Sequence, residues 1–276
     1  MSNESSMRPD PSLTHFAAHG LALPPGGTEQ HVQHDGASIW CASYGPPSSR
    51  PVILLHGGLG HSGNFANQVP ALTEAGYRAI VIDSRGHGRS TRDARPYSYE
   101  LMAGDVVAVM DALGLARAAL VGWSDGACIA LTLAKAQPER VAGAFVFACN
   151  MDPSGVKEID ESNPLLGRCF GRHAQDYAAL SATPEDFKSF VAAVTEMQRT
   201  QPSWTAADLA ALRLPVAIVA GENEEFITRE HLEYLARTIP GAVFTALPGV
   251  SHFAPIQNPD LFNAAVLDFL ACVPNA

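Results

Sequence analysis

The chain has 276 residues, 47% of them hydrophobic, enough for one sizeable core, and a formal net charge of -10. That charge excludes nucleic acid and an anionic membrane surface as expected partners, since either selects a basic patch. The sequence has no H-E-x-x-H spacing and no C-x-x-C pair, so no metal is expected; no cofactor is expected either, and the partner is a small molecule.

Residues 1–30 are rich in Ser, Pro, Gly and His without a sustained period, and read as an N-terminal arm. Met1 to Ser12 lack the apolar stretch of a signal peptide, and no apolar run in the chain approaches membrane-spanning length. A cytoplasmic protein is expected. His15 and His19 lie four apart but have no acidic or cysteine companion nearby, so they read as solvated side chains and not as metal ligands. His31–His34 and Ser38–Tyr44 flank Asp35-Gly36, a hairpin signal.

Strands and helices then alternate. Val52–His56, Arg78–Asp83, Ala118–Gly122, Gly143–Ala148, Val216–Ala220 and Val243–Leu247 are rich in Val, Ile, Leu, Phe and Ala without polar alternation, as expected for strands covered on both faces. Between 99 and 113 Met102, Val106, Val109, Met110 and Leu113 form one helical stripe, and near the C-terminus Leu261, Phe262, Ala265, Val266, Phe269 and Leu270 form another. The expected fold class is α/β, a mostly parallel central sheet with helices on both faces. Residues 150–203 break the alternation with short amphipathic pieces, such as Pro184–Arg199. They follow one strand and precede another, so they emerge at the carboxyl edge of the sheet, where α/β sites lie, and read as a small helical cap. The core is then 31–149 and 204–276. Five cysteines, Cys41, Cys128, Cys149, Cys169 and Cys272, read as reduced core thiols.

The chemistry centres on Gly122-Trp123-Ser124-Asp125-Gly126, set between a strand and a helix pattern. This is the form of a nucleophile elbow, a sharp turn that exposes a serine and leaves room only for glycine on either side. Gly221-Glu222-Asn223-Glu224-Glu225 follows a later strand, and Pro248-Gly249-Val250-Ser251-His252 follows another. The order serine, acid, histidine assigns Ser124 as nucleophile, His252 as general base and then acid, and Glu224 as the group that orients the imidazole.

With His56-Gly57-Gly58 after the third strand and the run Asp83–Ser90 after the fourth, the chain resembles the α/β-hydrolase superfamily over nearly all its length after the arm. Its elbow and acidic turn are similar to those of valacyclovirase-like (biphenyl-hydrolase-like) serine esterases and bacterial carboxylesterases. The resemblance places aspartate where Glu224 stands; Glu225, Glu222 and Asp152 are the alternative acids. It also implies an oxyanion hole from the backbone N–H groups of Asp125 and Gly58, with Leu59 beside them, and a substrate-binding role for the Asp125 side chain toward an amino group, against the plainer reading of an acid at a helix start. Trp123 packs beside the elbow and lines the pocket. His56 is structural, holding the loop 57–61. The Asp83–Ser90 run reads as a sheet-edge turn and not as a phosphate loop.

The expected function is cleavage of carboxylic esters of small to medium size through an acyl-enzyme. Leu165, Leu166, Phe170, Tyr177, Phe187 and Trp204 are expected to shape an apolar pocket. Epoxide hydrolase and dehalogenase chemistry is disfavoured because those relatives carry aspartate as nucleophile. The alternatives are lactone hydrolysis, carbon–carbon bond hydrolysis or perhydrolysis by the same triad, and a non-catalytic ligand receptor on the same fold.

Overall fold

A computed structural model describes residues 11–158 and 163–274. Residues 1–10, on which most of the signal-peptide reading rests, lie outside them.

In chain order the elements are α1 (Pro11–His19), β1 (Thr28–His34), β2 (Ala37–Tyr44), β3 (Pro51–Leu55), α2 (Gln68–Glu74), β4 (Arg78–Ile82), α3 (Tyr99–Ala112), β5 (Ala118–Trp123), α4 (Asp125–Ala136), β6 (Val141–Phe147), α5 (Pro164–Leu180), α6 (Phe187–Thr200), α7 (Ala206–Ala210), β7 (Val216–Asn223), α8 (Arg229–Thr238), β8 (Val243–Ser251), α9 (Ala254–Gln257) and α10 (Pro259–Cys272). The strands form one sheet in the order β1-β2-β4-β3-β5-β6-β7-β8. β1 and β2 pair antiparallel, as do β2 and β4; the other pairings are parallel. The hairpin turn places both Asp35 and Gly36 at positive φ, as the tight two-residue connection requires.

Period-two alternation explains why the central strands are apolar on both faces. On β6, Phe145 and Phe147 set their rings 5.6 and 5.3 Å from Phe262 of α10, while Ala144 and Val146 at the alternate positions face the other way, and all four are buried. Helix α10 buries Phe262, Val266 and Leu270 at four-residue spacing, and α3 buries Met102, Val106, Val109 and Met110, as the stripes in the sequence indicate. Cys41, Cys128, Cys149 and Cys169 are buried and in no disulfide; Cys272 differs from the expectation and is exposed at the end of α10. Among the described residues no helix is long and apolar enough to cross a membrane.

Two further features depart from the sequence reading. The segment expected as an irregular arm forms α1 and, from Thr28, the edge strand β1. Leu13 and Phe16 of α1 are buried, and the Phe16 ring lies 6.0 Å from that of His173 on α5. Nine residues with two apolar anchors are too short for a period to register, and the partner helix lies far along the chain. His15 and His19 remain exposed. The second departure is that β7 and β8 run on into segments that read as turns, through Asn223 and Ser251. Phe16→Ala is therefore expected to cost about 3–5 kcal/mol and to lower the thermal unfolding midpoint by roughly ten degrees; a variant that melts with the wild type would make α1 a surface ornament.

Candidate active site

The last residue of β5 is Trp123 and the first of α4 is Asp125, so Ser124 alone makes the turn. It does so at φ 55 and ψ -119, a conformation that costs a non-glycine residue roughly 1–3 kcal/mol and persists only where its surroundings hold it. They do. Ser124 N–H donates to Phe147 O of the neighbouring strand at 2.8 Å, and the Ser124 carbonyl accepts from Ala127 and Cys128. A Cβ on Gly126 would sit 2.0 Å from Leu55 O, and one on Gly122 would sit 2.4 Å from Gly126 O, so the flanking glycines answer to close backbone approach.

The acid and the histidine meet through the extended ends of β7 and β8. A shift in the ladder after Gly221 sets Asn223 opposite Ser251, and the next residue on each strand is then Glu224 and His252. His252 Nδ1 and Glu224 Oε1 are 2.6 Å apart. The same carboxylate oxygen accepts from Phe226 N and Ile227 N at 2.9 and 3.3 Å, so it is fixed from two sides. The other acids go elsewhere. Glu225 accepts the backbone N–H of His252 at 2.8 Å, Glu222 accepts from Gly249 N, and Asp152 bonds Ser154 and lies 3.9 Å from His231. The imidazole is buried between the Trp123 and Phe226 rings, at centroid distances of 6.0 and 4.4 Å. Burial alone would lower its pKa, but the charge and hydrogen bond of Glu224, with Glu225 and Asp125 behind them, outweigh that and raise it above 6.5. Among the described residues neither Ser124 Oγ nor His252 Nε2 makes a hydrogen bond; the ring's one partner is Glu224.

Next to the elbow runs the loop 56–61. His56 is buried, which lowers its pKa to about 4. The neutral ring donates from Nδ1 to Gly57 O and accepts Ser84 N–H on Nε2, so it holds the loop and does no proton transfer. Gly57 O also receives Gly60 N–H, and Leu59 turns back at φ 62. These bonds leave the N–H groups of Gly58 and Leu59 without acceptors among the described residues, beside Asp125, whose N–H is the first of α4 and lies outside its ladder. Unpaired N–H groups at a helix start favour negative charge.

A family model described as the α/β hydrolase fold matches residues 50–164. RutD of Caulobacter sp. (strain K31), named for carbamate hydrolysis, is 30% identical over 82% of this chain and 93% of its own length. The chain belongs to the α/β-hydrolase superfamily. Epoxide hydrolase B of Mycobacterium tuberculosis is 40% identical over 54% of the chain and 42% of its own length. The structure titled "Est816 as an N-Acyl homoserine lactone degrading enzyme" aligns at a TM-score of 0.69 with 29% identity, covering 87% of this chain and all of that one.

Within this hydrolase frame, Asp125 is the acid of the first turn of α4, as the plainer sequence reading has it, and its carboxylate is bound by side chains. Oδ1 accepts the Tyr99 hydroxyl at 2.9 Å, and Gln198 Nε2 of α6 lies 3.1 and 3.0 Å from the two oxygens. Burial raises its pKa against the pull of those two donors. Gln198, Tyr99 and Phe226 were invisible as site residues because nothing in their local sequence marks them. Of the four aromatics expected to line a pocket, Tyr177 and Phe187 pack against rings: the Tyr177 and Phe190 rings stack at 4.7 Å, with Phe187 against them. Phe170 is exposed and Trp204 takes Lys135 over its ring. A cavity of about 320 Å³ opens between residues 21–27, Trp40, Tyr44 and the end of α5, and one of about 40 Å³ lies behind Glu224; neither is lined by Ser124. Among the described residues no group of three or more His, Cys, Asp or Glu side chains is placed to hold a metal ion.

Removing the carboxylate charge in Glu224→Gln leaves burial as the larger influence on His252. NMR titration of the ring should therefore show the His252 pKa falling relative to the wild type while the fold is kept; an unmoved titration would mean that Glu224 does not govern the imidazole.

Proposed function

We propose that this hydrolase cleaves carboxylic esters of small to medium size through a serine acyl-enzyme. The observation that carries the reading is the 2.6 Å contact of His252 Nδ1 with Glu224 Oε1, next to a serine held at positive φ with an unbonded hydroxyl. With Nδ1–H donated to Glu224, the imidazole presents a free lone pair on Nε2, the form a general base needs. Catalytic hydrogen bonds are commonly long or absent in a free enzyme and tighten around substrate, so the open Ser124–His252 gap fits a resting site.

In this mechanism Ser124 Oγ attacks the ester carbonyl as His252 Nε2 takes its proton. The oxyanion forms against the N–H groups of Gly58 and Asp125, with Leu59 N–H beside them, donors often worth about 3–4 kcal/mol each. His252 passes the proton to the departing alkoxide, and the acyl group stays on Ser124. Water then gives its proton to His252 and attacks the acyl carbon, releasing the acid and restoring the serine. Glu224 holds the ring and stabilises its cation throughout. Trp123 walls the imidazole, and residues 150–203, carrying α5 and α6, act as the cap that selects the acyl group. No metal or cofactor enters a step, and the substrate is a free small molecule.

A serine at the elbow supplies an alkoxide and not the carboxylate that direct epoxide opening uses. Cyclic esters are the second reading, favoured by the likeness to the lactone-degrading structure, and the same residues serve it unchanged.

A serine-directed fluorophosphonate should label Ser124 one to one and abolish turnover on a panel of p-nitrophenyl esters, lactones and carbamates. Ser124→Ala should lower kcat by about 10⁴-fold or more. The acid limb of kcat/KM should lie above pH 6.5, because His252 must be neutral and its pKa is raised, and it should move to lower pH in Glu224→Gln. Persistent turnover in Ser124→Ala would end the proposal.

A further inference from the structure

Four separate parts of the chain meet at the carboxylate of Asp125. Tyr99 comes from the first turn of α3, Asp125 from the elbow, Gln198 from the last turns of α6, and Gly58 from the loop. A Cβ on Gly58 would fall 2.6 Å from Asp125 Oδ2 and 2.5 Å from Gln198 Nε2, so the loop lies directly on the pair. The contact is backed by Gln201, one turn further along, whose Oε1 accepts Tyr99 N–H at 3.2 Å.

The chemistry of this cluster is unusual. Asp125 is 8% exposed and follows the nucleophile directly, yet its hydrogen-bond partners are a phenol and an amide, and none of them is a cation. A buried carboxylate with neutral donors only is a strong attractor for a positive group that can replace one of them. Tyr99 is anchored in α3 and buried. Gln198 is half-buried, enters from α6, and covers both oxygens of a carboxylate one residue from Ser124.

We propose that Gln198 determines specificity at this site: by occupying both oxygens of Asp125 it keeps ammonium-bearing acyl groups out and leaves uncharged acyl groups as the preferred substrates. The idea deepens the ester-hydrolase reading and rests on it for the word substrate. The contact it describes does not depend on turnover. Truncating Gln198 removes the amide and opens a space beside the carboxylate wide enough for a primary ammonium. Salt-screened surface attraction to a chain of net charge -10 acts on both forms alike and cancels in a comparison between variants.

Two measurements test this. In the first, kcat/KM is compared for a neutral p-nitrophenyl acyl ester and its amino-substituted counterpart of equal length, for the wild type and Q198A. The ratio should move toward the amino ester by about tenfold or more in Q198A, and the gain should vanish in Q198A/D125N; a ratio that stays within twofold overturns the proposal. In the second, which needs no chemistry, butylammonium is titrated calorimetrically into the same three proteins. Binding should be at least tenfold tighter in Q198A than in the wild type and should weaken again in the double variant. Equal affinity for all three overturns the proposal. A protein that hydrolyses no ester but binds butylammonium in this order would sink the ester reading and keep the Gln198–Asp125 contact as a charge filter.

Discussion

Asn223 stands opposite Ser251 at the end of the β7–β8 ladder, and that register is what the site depends on. With a rise of about 3.3 Å per residue, a slip of one position would carry His252 away from Glu224 and turn its side chain to the other face of the strand. The irregularity after Gly221 makes the register possible. A Cβ on Gly221 would lie 2.5 Å from the carbonyl oxygens of both Val250 and Ser251, so the strands close to that distance only with glycine there. Lys157 adds a clasp from the chain that leaves β6, its Nζ reaching Glu224 O at 2.6 Å. Thr228 N–H on Gly155 O and Lys157 N–H on Phe226 O seat the same segment. The acid is thus placed by backbone geometry on both sides, and its side chain is held by accepting Phe226 and Ile227 N–H on the oxygen that meets the ring.

Three carboxylates surround one buried imidazole, an arrangement that burial alone would penalise heavily. It survives because each has its own donors: backbone N–H groups for Glu224, the N–H of His252 for Glu225, and the phenol and amide for Asp125. Burial pushes the pKa of Glu225 and of Asp125 upward. Their field acts with that of Glu224 to favour the imidazolium, the form that the proposed reaction passes through twice.

Much of this was legible from the sequence because its causes are local. The elbow, the hairpin at Asp35-Gly36 and the stripes of α3 and α10 each depend on residues within a few positions of one another. The ends of β7 and β8 were not legible, since Gly-Glu-Asn and Pro-Gly-Val-Ser have turn composition and join the sheet only through each other. Helix α1 was missed for a similar reason: Leu13 and Phe16 gain their meaning from α5. The aromatics of α5 and α6 show the limit of amphipathic pattern. A stripe separates buried from exposed faces but does not say whether the buried face meets a cavity or another ring, and Tyr177, Phe187 and Phe190 meet rings. Gln198 has no signal of its own, because an amide becomes informative only when a carboxylate faces it.

The loop that carries Gly58 is held from behind by a second buried acid, and its protonation explains how the loop keeps its shape. Asp83 is fully buried; its Oδ1 accepts Ser62 N–H at 2.7 Å and its Oδ2 accepts Arg89 N–H and Nη1. Burial opposes its ionisation, but the His61 and His56 rings together with the Ser62 and Arg89 donors reverse the balance and hold its pKa below 3.8. A depressed carboxylate contributes stability that is present above its unfolded pKa and is lost as pH falls through the folded one, so this anchor persists wherever His252 can act as a base. A Cβ on Gly88 would meet the same carboxylate at 2.4 Å, which explains a glycine in the Asp83–Ser90 run without any phosphate. Asp83 steadies the loop from the side of the sheet through Ser62 N–H, and Asp125 with Gln198 of α6 lies directly against Gly58.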